Sequence, residues 1–393
     1  MLPFKHRIEK SLSERKAQGL YRQRTCLSRH QQVVDCKGDT FVNFSSNDYL
    51  GLAQDPELVK AWQQGLTLFG TGSGASPLVT GFLSAHHELE TQLADWLGYE
   101  RALLFNSGFS ANQALLFTLL EKGDVLLQDK LNHASLMEAG MLSPATMRRF
   151  SHNDMSALQR TLSHYSELPG NAANQSNNAT MVVTEGVFSM DGDLSPLAEM
   201  KTLCREHNSW LVVDDAHGCG VLGEQGRGSC NHGKIQADLL VVTFGKAFGL
   251  QGAAILCSEE TAEYLVQFAR HFIYSTAMPP AQAYALSKSC QMIRQDQWRR
   301  DKLLELSELL SDRVDSDIDL ISTPTSIKPL IIGDSDKAIA ASDELKQRGI
   351  WVSAIRPPTV PANTARLRIT LTAAHSRADI EKLATAINEV IHD

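Results

Sequence analysis

The sequence predicts an α/β protein built around a mostly parallel central sheet, and three observations carry that expectation. Short β-rich runs alternate with longer amphipathic stretches over residues 51–282, the rhythm of strand–helix units. Polar, reactive residues follow the apolar runs, where ligands collect at the carboxyl ends of strands in open sheets. The length, 393 residues with 43% hydrophobic and 21% charged side chains, suffices for a large core and excludes a disordered chain or a disulfide-held miniprotein.

From Phe4 to Arg24 the chain is basic and helix-like, and FVNFSSNDYLGL (41–52) breaks into a polar loop ending at Gly51, so a helical arm and entry loop are expected over 1–50. In the large domain, 51–282, strands are expected at 102–105, 124–129, 181–185, 210–214, 239–244 and 253–257. Ser195-Pro196 reads as a helix start with Ser as N-cap, followed by an apolar face of Leu197, Met200 and Cys204. The Asn-, Gly- and Ser-rich stretch 168–180 reads as a surface loop. After IYSTAMPPA (273–281), a charged helical stretch leads to strands at 328–334 and 365–372, a smaller α+β domain over 283–393.

Thirty-seven Lys and Arg against 45 Asp and Glu give a net charge of −8, which argues against nucleic acid or a membrane surface as partner. Seven cysteines without a CxxC pair suggest free thiols in a reducing cytoplasm. The amino terminus lacks the apolar core of a signal peptide, and no later run has the length of a membrane span.

The chemistry sits after the strands. Gly108 lies between a strand and a helix, where free backbone N–H groups cradle a phosphate or simply make a βα turn. GTGSGAS (70–76) lacks the lysine of a P-loop, and no GxGxxG follows a strand. Asp214 ends an apolar run, where a carboxylate needs a donor or a positive partner, and His217 follows three residues on. A metal pair and a capped helix start both fit DDAH, but no third ligand adjoins it, so no metal is expected. Lys246, flanked by Gly245 and Gly249 and preceded by Thr243, is either a surface turn residue or a desolvated Schiff-base lysine. Together these suit pyridoxal phosphate, which needs phosphate donors, an acid at the pyridine nitrogen, a partner for the ring hydroxyl and a lysine for the aldehyde. His133 is then either a helix-start residue or a ring-stacking one.

NDYLGL (47–52), SGFSANQ (107–113), NHAS (132–135), EGVFSMDGD (185–193), VDDAHGCGVLGEQGRG (213–228) and TFGKAFGLQGA (243–253), in that order, resemble the α-oxoamine synthases. These are dimeric pyridoxal-phosphate enzymes of the aspartate-aminotransferase fold, fold type I. The resemblance implies that Lys246 bonds the cofactor aldehyde, Asp214 pairs with the pyridine nitrogen, Ser189 and His217 reach the ring hydroxyl, and His133 stacks on the ring. Gly108, Phe109 and Thr243 would hold the cofactor, and Ser275 and Thr276 would reach the neighbouring subunit's phosphate in a homodimer.

For substrate, the resemblance implies a carboxylate grip by Arg368, for which a plain strand-edge arginine is the alternative, and contacts from Asn47, Arg356, Thr359 and His133. The family's amino-terminal arginine aligns with Tyr21, so its role passes to Arg22, with Arg24 nearby. The implied reaction is decarboxylative condensation of L-alanine with a pimeloyl thioester, pimeloyl-CoA or pimeloyl-acyl carrier protein. Siblings that use glycine or serine share the lysine and aspartate motifs, and a cofactor-binding copy without turnover is the non-catalytic alternative. Arg148-Arg149 and Arg299-Arg300 are basic pairs that suit an acidic carrier or a solvated helix face alike.

Overall fold

The computed structural model describes residues 3–166 and 178–392, so most of the loop expected over 168–180 lies outside the described residues. Behind the helix Pro3–Ala17 come β1 (Ser28–His30), β2 (Val33–Cys36) and β3 (Asp39–Asn43), an antiparallel meander where the sequence suggested arm and loop. Its two-residue turns hold Gln31 (φ 53°), Lys37 (φ 53°) and Gly38 (φ 98°), the positive-φ geometry that lets strands turn back tightly. Gln and Lys are unusual there, which hid the hairpins.

The central sheet comprises β4 (Arg101–Phe105), β5 (Val125–Asp129), β6 (Thr146–Phe150), β7 (Thr180–Glu185), β8 (Trp210–Asp214), β9 (Leu239–Thr243) and β10 (Ala253–Cys257). Their order is β4-β10-β9-β8-β7-β5-β6, parallel except for β10, which runs antiparallel to both neighbours. β5, β9 and β10 are buried along their whole length because helices cover both faces, so they read as unbroken apolar runs. Alternate residues feed two cores: Leu126, Val183, Val212 and Val241 face one, and Leu127, Val182, Val213 and Val242 the other. β6 escaped notice because it is an edge strand with Arg148 and Arg149 exposed.

Towards the carboxyl end, β11 (Ile327–Gly333), β13 (Ser353–Ile355) and β14 (Ala365–Thr370) form an antiparallel sheet of order β11-β14-β13. β12 (Ile350–Trp351) instead pairs in parallel with β3, so the amino-terminal meander extends over the carboxyl-terminal part of the chain. Among the described residues no helix is long and apolar enough to cross a membrane.

Two local expectations are corrected. Ser195 does not cap the helix Leu197–Glu206; its hydroxyl donates to the Glu185 carbonyl at 2.7 Å and pairs with Thr184 at 2.6 Å, while Pro196 stands at the N-cap. Arg299 and Arg300 are not a solvated pair but are each 7% exposed. Arg299 bridges Asp55, Asp296 and the Leu50 carbonyl, and Arg300 holds Gln297 and the Ile293 carbonyl at a break between two helices, Pro280–Gln295 and Gln297–Arg313. Buried guanidinium groups persist only with such partners.

Candidate active site

The carboxyl ends of β5, β7, β8 and β9 converge on a cleft of about 200 Å³ whose lining includes Gly108, Phe109, His133, Asp214, His217, Thr243 and Lys246. Seven residues scattered over 139 positions thus share one wall because parallel strands end on the same edge.

At one end of the cleft the helix Gly108–Leu119 begins. Its N-cap Ser107 accepts from the Ser110 N–H at 3.1 Å, which leaves the Gly108 and Phe109 amides at the cleft for an anion. A Cβ on Gly108 would come within 2.5 Å of Thr243 Cγ2, so only glycine brings this backbone against Thr243. At the floor, Asp214 is 5% exposed; it accepts from Asn112 Nδ2 at 2.8 Å and from the Ala216 N–H at 3.1 Å. A buried carboxylate served only by neutral donors suits a protonated pyridine nitrogen.

Lys246 Nζ donates to Thr243 Oγ1 at 3.2 Å. Burial lowers its pKa, with Asp214 and Glu185 opposing. Of its flanking glycines, Gly249 is required by φ 72° and by Ala53 N, 2.6 Å from a built Cβ, whereas Gly245 has room for a side chain.

His133 is joined to Asp214 by a chain that motif reading did not assign. Asn112 Nδ2 donates to Asp214 Oδ2 and, at 2.9 Å, to Ser135 Oγ. The Ser135 hydroxyl lies 2.8 Å from His133 Nδ1, which also accepts from the Ser135 N–H at 3.2 Å. Nδ1 is therefore the acceptor, and the proton of the neutral ring sits on Nε2. Burial keeps that ring neutral by lowering its pKa, against Asp214. His217 is likewise pushed well down by burial and by the cations around it, and its Nδ1 meets Tyr49 Oη at 2.6 Å.

Arg368 stands beside this cleft. Its Nε donates to the Ser189 carbonyl at 2.6 Å and its guanidinium to Asn47 Oδ1 at 3.2 Å. Arg366, two residues earlier on the same face of β14, forms an ion pair with Asp191, so the loop after β7 is tied twice to this strand. Thus Asn47, Ser189 and Arg368 are brought together.

Arg356 donates to the Gly19 carbonyl at 3.1 Å, which draws its loop towards the segment bearing Arg22. Arg22 and Thr359 are exposed, and neither lines the cleft. Ser275 and Thr276 do not line it either; Thr276 offers its carbonyl to Asn106 Nδ2 at 2.9 Å.

Fold and site together define a pyridoxal-phosphate enzyme of fold type I, and residues 39–387 match the family model for aminotransferase class I and II, so the chain belongs to that family. Within it, the chain is similar over nearly its whole length to two 8-amino-7-oxononanoate synthases. It is 66% identical to that of Photobacterium profundum over 99% of this chain and 98% of the relative, and 60% identical to that of Vibrio cholerae over the same shares. Among solved structures it is similar to a serine palmitoyltransferase from Sphingomonas wittichii (TM-score 0.91, 28% identity, 98% of this chain and 97% of the other). A crystal structure of 8-amino-7-oxononanoate synthase from Francisella tularensis also matches (TM-score 0.75, 31% identity, 90% and 98%).

Proposed function

We propose that this chain is an acyltransferase that condenses L-alanine with a pimeloyl thioester, releasing carbon dioxide and free thiol and forming 8-amino-7-oxononanoate for biotin biosynthesis. The observation that carries the reading is the convergence of Lys246, Asp214 and His133 on one cleft beside Arg368. The cofactor is pyridoxal phosphate, which when bound supplies the electron sink for negative charge at the amino acid Cα.

The residues divide the remaining work. The Gly108 and Phe109 amides and Thr243 would hold the phosphate, Asp214 would keep a proton on the pyridine nitrogen, and His217 and Ser189 would serve the ring hydroxyl side. Lys246 anchors the cofactor aldehyde. Its free amine, made less basic by burial, would take the α-proton of alanine. Arg368 exchanges the Ser189 and Asn47 oxygens for the substrate carboxylate, where a planar fork binds two oxygens at once. His133, which lines the cleft and carries its ring proton on Nε2, donates to the thioester carbonyl oxygen as it gains charge. Arg356, Thr359 and Arg22 contact the acyl substrate from the cleft's approaches.

The working unit is a homodimer in which Ser275 and Thr276 complete the partner's phosphate site, a reading supported by their position off their own chain's cleft and by the 75% exposure of Tyr274 beside them. A cytoplasmic location fits the seven free cysteines. The test is reconstitution with pyridoxal phosphate: a visible absorption band and a borohydride-fixed adduct are expected on Lys246. The same adduct in Lys246→Ala would refute the assignment.

A further inference from the structure

β7 and β8 end side by side, with Glu185 in register with Asp214, and both residues line the same cleft. The reaction employs Asp214 as an anion and leaves Glu185 without a task. Glu185 is 2% exposed, and its Oε1 is sealed from solvent with no hydrogen-bond partner among the described residues. The main-chain N–H of His133 lies near enough to its carboxyl to favour the charged form. Asn112 Oδ1 and Asn132 Oδ1, on residues that line and adjoin the cleft, are also buried acceptors without donors. This wall has a surplus of acceptors and lacks a proton.

Adjacent buried carboxyls do not both ionise, because each charge disfavours the other and neither is solvated. Burial first, then Asp214 on β8 and Asp129 on β5, push Glu185 well above the ordinary carboxyl range, against the His133 N–H and Lys246. Asp214 is the member of the pair with charged-state donors, the Asn112 amide and the Ala216 N–H. An ionised Glu185 would also hold Lys246 protonated, and an ammonium neither attacks an aldehyde nor takes a proton.

We propose that Glu185 is a positioning residue, a neutral carboxylic acid held beside Asp214 and near the main chain of His133, so that Asp214 alone bears negative charge at the ends of β7 and β8. His133 opens the helix Ala134–Leu142, so the group lying near its main chain bears on where its ring enters the cleft. The catalytic consequence rests on the function proposed above, but the protonation state does not.

Infrared difference spectra between the full chain and Glu185→Gln, recorded with and without pyridoxal phosphate at neutral pH, should show a protonated-carboxyl stretch that the variant loses. Carboxylate bands in its place overturn the proposal. Glu185→Gln, which keeps a carbonyl and a donor, should restore most of the kcat that Glu185→Leu loses, a loss of about tenfold or more from misplacing a reacting group. It should also leave the midpoints of the kcat–pH profile in place. A shifted profile in the Gln variant, or full kcat in the Leu variant, contradicts it. If the Leu variant fails to fold, the infrared band and the Gln profile still decide. Absence of the visible cofactor band in the unmodified chain would instead count against the cofactor reading and leave the infrared result standing.

Discussion

Replacing Ser135 with alanine tests whether the Asp214–Asn112–Ser135–His133 chain orients the ring that meets the thioester. Ser135 is fully buried, and its hydroxyl makes two contacts, 2.9 Å to Asn112 Nδ2 and 2.8 Å to His133 Nδ1. Truncation deletes both, leaving one Asn112 N–H without its acceptor and His133 Nδ1 with only the Ser135 amide at 3.2 Å. At about 1 kcal/mol per buried hydrogen bond the perturbation is about 2 kcal/mol. If the imidazole is needed in place only when the carbonyl oxygen gains charge, that energy appears as a fall of roughly thirtyfold in kcat. The assay is thiol release at saturating L-alanine and thioester, with KM for each substrate determined in parallel and cofactor occupancy read from the visible band. A kcat within about twofold of the unmodified chain at full occupancy would refute the role given to this chain of bonds.

Three further outcomes follow from the geometry. Gly108→Ala forces a methyl against Thr243 and should weaken pyridoxal phosphate binding by about tenfold or more in a visible titration, while Gly245→Ala, with its nearest atom 3.8 Å from the new Cβ, should not. His152 lies between Asp129 and Asp193, whose hydrogen bonds raise it to about 10 despite its partial burial. A histidine with a raised folded pKa adds stability that is complete below its unfolded value of 6.5 and is lost as pH rises through about 10. The Tm gap between the unmodified chain and His152→Gln should therefore narrow across that window, and a gap that widens contradicts the pairing. Asp191→Asn loosens Arg366 and with it β14, so KM for L-alanine should rise several-fold with kcat little changed.

Much of the candidate site was legible because strands buried on both faces make apolar runs whose ends are easy to find. Asp214 and Lys246 follow such runs directly, and a charge there needs a reason. Asn112 and Ser135 sat inside motifs already noticed, yet their task depends on contacts 102 and 23 residues apart, which no local pattern encodes. Glu185 looked like the last residue of a strand, and its meaning comes from its register with Asp214. Arg299 and Arg300 misled because charge on a helix usually means solvent, whereas here Asp55, Asp296 and Gln297 receive them. The β1–β3 meander was missed because its strands are short and its turns lack the usual Asn-Gly signal.

The central claim concerns which amino acid and which acyl group meet at Lys246. Purified holoenzyme supplied with L-alanine, glycine or L-serine, each with pimeloyl-CoA, pimeloyl-acyl carrier protein or acetyl-CoA, can be followed by mass spectrometry of the product. The account predicts 8-amino-7-oxononanoate from L-alanine and a pimeloyl thioester, with none from Lys246→Ala. Preferred turnover of glycine or serine, or product from the lysine variant, would contradict it.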